Sequence, residues 1–81
     1  MTESEIYDLL TDVMRDVFDN AALTIGPTTT AADVPGWDSQ GHVMLIVAVE
    51  QRLKVRFRTA EFESLHNVGD FVALIKAKTS R

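Results

Sequence analysis

The sequence has no cysteine, only two prolines and four glycines, and a deficit of basic residues: eight Lys and Arg against twelve Asp and Glu, for a net charge of −4 over 81 residues. Without a thiol, disulfide frameworks, thiolate metal sites and cysteine nucleophiles are excluded. The two histidines, His42 and His66, stand among scattered carboxylates without metal-ligand spacing, so no metal is expected. No apolar run approaches the roughly 18 residues of a membrane span. The opening MTESEIYDLL is acidic and lacks the basic n-region of a secretory signal. The expectations are a cytoplasmic location and no membrane insertion, with the redox compartment left open. A shortage of clustered Lys and Arg argues against nucleic acid as a partner, because phosphate neutralisation needs them. The length itself allows one domain, residues 1–81, since two cores of ordinary size would not fit.

What charge there is lies unevenly. Residues 1–19 hold six acids and one base, residues 20–50 hold three acids and no base, and Arg52, Lys54, Arg56 and Arg58 then form a short basic exit. Apolar periodicity is equally local. Ile6, Leu9, Leu10, Val13, Met14, Val17 and Phe18 recur at three and four residue intervals behind a Thr2–Glu5 capping box, which predicts an amphipathic helix. Asp8, Asp12, Asp16 and Asp19 line its other side, with Arg15 offering partial relief of their repulsion. That acidic side reads first as a solvated face and second as a docking surface.

Both prolines and the Thr28–Thr30 run fall in residues 20–37, which read as a long loop. Loops of this length need anchors, and Leu23, Ile25, Val34 and Trp37 are the candidates. A second helix opens after Asp38, a good N-cap, and runs through Leu53, where Lys54-Val55-Arg56-Phe57 breaks the period. On a helical wheel His42, Leu45, Ile46, Val49 and Leu53 form one face, while Gln40, Val43, Met44 and Val47 occupy the opposite arc. This helix therefore has two apolar faces. A short helix from Thr59 or Ala60 through Leu65 and a last one from Val68 to about Lys78, capped by Asn67 and Asp70, complete the chain. Val68, Phe71, Val72 and Ile75 are its buried stripe, and Lys76, Lys78 and Arg81 suit its C-terminus. The fold class is all-α: a small bundle of three main helices plus one short helix, with the long loop between the first two.

An exposed hydroxyl at the start of a helix, Asp38-Ser39, has a specific chemical use. Free N–H groups and the positive end of the helix dipole favour a phosphodiester built on the serine oxygen, clear of the core. Alone, the pair is more often a plain helix cap. The stretch Val34-Pro35-Gly36-Trp37-Asp38-Ser39-Gln40-Gly41-His42-Val43, followed by Leu45 to Glu50 and the basic exit, resembles the acyl carrier protein family, as does the order of helices over nearly the whole chain. The resemblance implies a carrier and not an enzyme. The serine of that family's Asp-Ser-Leu motif takes 4′-phosphopantetheine from coenzyme A, and the thiol of the arm carries acyl groups as thioesters. By position Ser39 is the attachment site and Asp38 its neighbour. The implied partners are a phosphopantetheinyl transferase and acyl-loading and acyl-processing enzymes, which meet a monomer at Asp38, Gln40, Val43, Met44, Val47 and Glu50.

The chain departs from that pattern at Gln40, where the family has Leu or Met, and on the outer side of the serine helix, where Gly41, Met44, Glu50 and Gln51 leave Glu50 as the only charge. The second apolar face therefore sits where partners of the family dock, unless the long loop covers Met44 and Val47. Left open, it points to a specialised rather than a general fatty-acid carrier, in a fatty acid, polyketide or related pathway. Two alternatives stand beside it: a peptidyl or aminoacyl carrier of a nonribosomal pathway, and an unmodified helical interaction module. Ser39 and His42 do not make a hydrolase, because neighbouring residues of one helix cannot supply a separate base, orienting group and oxyanion donors. His42 is expected to line or cap the core under the serine, and Trp37 to pack as a loop anchor.

Overall fold

The computed structural model describes residues 1–79, so the expected role of Arg81 lies outside the described residues. Four helices follow one another: α1 (Glu3–Val17), α2 (Ser39–Leu53), α3 (Thr59–Glu63) and α4 (Val68–Thr79), with one short 3-10 turn at Ala31–Asp33. No strand occurs among the described residues. At the start of α1 the capping box is complete: Glu5 N–H donates to Thr2 Oγ1 at 3.2 Å, and Thr2 N–H donates to Glu5 Oε1 at 2.8 Å. These bonds from Thr2 hold the Glu5 carboxyl below its ordinary value.

The apolar stripes meet in one cluster. Ile6, Leu10, Val13 and Met14 of α1 pack with Leu45, Ile46 and Val49 of α2 and with Val68, Phe71, Val72 and Ile75 of α4, and α1 contacts both of the other long helices. Phe57, from the basic exit, joins them edge-on to Phe71 at 5.8 Å between ring centroids. Asp8, Asp12, Asp16 and Asp19 all face solvent. Arg15 does not serve them chiefly: its Nε donates to the Leu23 carbonyl at 2.7 Å, fastening the loop to α1.

Leu23, Val34 and Trp37 are buried as loop anchors and Ile25 partly so. Backbone bonds add to them. The α4 N–H groups of Val68 and Gly69 donate to the carbonyls of Thr29 and Pro27 at 2.8 and 2.9 Å, so the loop satisfies donors that any helix start leaves free. Asn67 also caps α4, taking the Asp70 N–H at 2.8 Å, while Asp70 Oδ2 reaches back to the His66 N–H. The short helix ends at Glu63, two residues before the expected Leu65, and it buries no residue fully. It is tied from the side of α4 by Lys78 and Glu61 at 2.9 Å. The Arg58 N–H and then Lys78 hold the Glu61 carboxyl below its ordinary value. Lys76 approaches Glu3 at 3.9 Å across two exposed side chains, a pair that contributes little.

Candidate functional site

The chain enters α2 through a turn that only glycine suits. Gly36 has φ +90°, and Gly41, in the first turn of α2, lies so close to it that a Cβ there would collide with the Gly36 carbonyl oxygen. This close approach seats Trp37 in the core beside the helix start. Asp38 is the N-cap: its Oδ1 accepts the Gly41 N–H at 2.8 Å and its carbonyl accepts the His42 N–H at 2.8 Å. Removing that carboxyl is expected to lower stability by about 1 kcal/mol. Denaturant midpoints for Asp38→Ala and Asp38→Asn check it: Ala should fall and Asn, which keeps an acceptor, should stay near wild type.

With Asp38 capping, Ser39 is left as the first residue of α2, exposed, and its Oγ has no hydrogen-bond partner among the described residues. The hydroxyl borders an open groove of about 690 Å³ walled by Trp37, His42 and Val43 on one side and by Phe62, Leu65 and His66 on the other. The ring of His42 sits inside this groove, where its Nδ1 lies 2.9 Å from Trp37 Nε1 and its Nε2 lies 2.9 Å from the Phe62 carbonyl. His42 lies on the arc of α2 that the wheel predicts, while its two ring partners come from a loop and from α3, which helical spacing does not encode.

The second apolar face of α2 is open. Val43, Met44 and Val47 are 51, 49 and 43% exposed, so the loop does not cover them. Gln40 is exposed on the same side. Glu50, expected as a docking charge, is partly buried and has a structural task, its Oε2 accepting the Phe57 N–H at 2.8 Å where the chain leaves α2. Lys54 ends the helix in the left-handed region at φ 56°. It lines a shallow groove together with Val47, Glu50 and Arg56, so the apolar stripe runs from Ser39 towards cations. Gly41 was also missed as a site residue; a glycine in the first turn of a helix is the signal that could have found it.

Among the described residues no group of His, Asp or Glu is arranged to hold a metal ion, and no helix is long and apolar enough to cross a membrane. No family model matches the chain. The acyl carrier protein of Clostridium acetobutylicum is 31% identical over 74 residues, which cover 91% of this chain and 96% of that protein. Among solved structures, the solution NMR structure of the holo acyl carrier protein from Geobacter metallireducens has a TM-score of 0.86 at 39% identity, covering 93% of this chain and 86% of that one. Sequence identity over almost the full length and a shared all-helical fold place this chain in the acyl carrier protein family, whose members are carriers for enzymes and not enzymes themselves.

Proposed function

We propose that this chain is a single-domain acyl carrier whose Ser39 bears 4′-phosphopantetheine taken from coenzyme A, holding acyl intermediates as thioesters for cytoplasmic partner enzymes. The observation that carries the reading is the free Ser39 hydroxyl at the start of a 15-residue helix whose capping is done by Asp38. The residues fit the group. An ester on an exposed Oγ displaces no core contact, and the first N–H groups of the helix favour a phosphate there. The arm supplies the thiol that the cysteine-free chain lacks. The role of the protein is to present that thiol: α2 fixes the attachment point, and the groove beside it offers apolar walls.

The docking face runs from Asp38 and Gln40 along Val43, Met44 and Val47, with Glu50 at its far edge. A stripe so apolar favours partners that bury it over those steered by an acidic helix, which supports a specialised carrier. Incubation with coenzyme A and a broad-specificity phosphopantetheinyl transferase is expected to add one phosphopantetheine mass, mapped by fragmentation to the peptide containing Ser39. No mass gain would reject the carrier reading. Once loaded, the chain should be a poor substrate for general fatty-acid synthesis enzymes, and turnover equal to that of a general carrier would reject specialisation while leaving Ser39 in place.

A further inference from the structure

A row of rings crosses the molecule at the Ser39 groove. Phe18 at the end of α1 lies 6.3 Å from Trp37, Trp37 lies 6.0 Å from His42, and His42 lies 6.0 Å from Phe62, all between centroids. Only His42 can hydrogen-bond to residues on both sides. Trp37 Nε1–H can donate and nothing else, and the Phe62 carbonyl can only accept. His42 must then be the neutral tautomer with Nδ1 bare and a proton on Nε2, accepting from Trp37 and donating to Phe62, each at 2.9 Å. The Trp37 and His42 planes are 22° apart.

The helix at the far end of this row needs such a tie. It has five residues, none fully buried, and among the described residues its other polar link to the bundle is the Lys78–Glu61 pair. It also supplies Phe62 to the wall of the groove opposite Trp37. We propose that His42 is a positioning residue of the Ser39 site, a two-sided pin that holds Trp37 through Nδ1 and α3 through Nε2–H and so sets the opening of the groove in which the arm lies. The proposal rests on Ser39 as the attachment point for the arm, and stands on its own for the groove. Its two halves are separable. Nδ1 serves only the Trp37 bond and Nε2 only the Phe62 bond.

The test uses two variants of the unmodified chain. His42→Asn places an amide oxygen where Nδ1 stood and loses the link to Phe62; His42→Gln reaches towards the Nε2 position and loses the link to Trp37. By NMR, the Asn variant should exchange its α3 amide protons about fivefold faster with the Trp37 indole N–H unchanged, and the Gln variant should show the reverse. Loosening of both contacts alike in both variants, or of neither, overturns the pin. In the loaded chain, attachment should perturb the Phe62 and Leu65 amides, and His42→Asn should reduce that perturbation at least twofold. Loading without any perturbation there would overturn the groove as the seat of the arm and leave Ser39 modification standing, whereas no loading at all would reject the carrier reading and leave the pin to the measurements on the unmodified chain.

Discussion

Ser39→Ala is expected to gain no mass from coenzyme A and the transferase under conditions that convert the wild type fully, while melting within about 0.5 kcal/mol of it. Both halves follow from the division of labour at the start of α2. Asp38 does the capping, through Oδ1 on the Gly41 N–H and its carbonyl on the His42 N–H. Ser39 Oγ has no partner among the described residues, and the residue is exposed. Alanine is the best helix former and needs nothing from its surroundings at that position. What it removes is the oxygen on which the proposed phosphodiester would form. Intact mass measures the first half, and thermal or urea unfolding measures the second. A mass gain in the alanine variant would move the site to another hydroxyl, of which the loop alone offers Thr24, Thr28, Thr29 and Thr30. A large loss of stability would mean that the serine serves the fold, contrary to its bonding.

The features legible in the sequence are those coded within a few residues of chain. The Thr2–Glu5 box, the Asp38 cap, the stop at Lys54 and the two faces of α2 depend on spacings of three or four residues, and each is present where expected. The Asp38-Ser39 pair and its surrounding stretch carried the family resemblance in the same local way. Less legible was everything that joins distant segments. That the Pro27 and Thr29 carbonyls complete the start of α4 depends on where a loop of eighteen residues settles, and no periodicity encodes it. Arg15 looked like relief for neighbouring acids because those acids are its neighbours in sequence; in space the Leu23 carbonyl is its partner. Glu50 followed the same logic in reverse. An outward charge on a recognition helix became, once the chain turned back at Lys54, the acceptor that holds Phe57 at the core. His42 was placed on the correct arc of α2, but a wheel specifies direction and not partners.

That outcome also alters the charge pattern of the site. Five of the twelve acidic residues sit on α1, while the open face of α2 is apolar from Val43 to Val47 and ends beside Lys54 and Arg56. With Glu50 drawn into the exit turn, α2 offers little long-range steering to a basic partner, and docking on the proposed face would rest on burying three apolar side chains. Burial acts mainly on the lifetime of a complex, whereas charge acts on its rate of formation.

Gly41→Ala is expected to destabilise the protein by about 2 kcal/mol, against the usual direction for glycine inside a helix. At an unconstrained helical position the change would gain up to about 1 kcal/mol from propensity and from the reduced freedom of the unfolded chain. Here the added Cβ would collide with the Gly36 carbonyl oxygen and stand 3.0 Å from Phe18 Cε1. A backbone carbonyl has no rotamer through which to withdraw. Gly36 is itself held at φ +90°, so relief requires the turn and the first turn of α2 to part. Parting them draws Trp37 away from the core and from His42 Nδ1, which couples a single methyl group to the wall of the Ser39 groove. For a domain of this size the loss corresponds to a fall in melting temperature of about 10 °C. Calorimetry gives the stability, and the single tryptophan reports the displacement in the same sample through its fluorescence. A variant as stable as wild type, with unchanged Trp37 emission, would mean that the turn yields at no cost and that the close approach does not position the site.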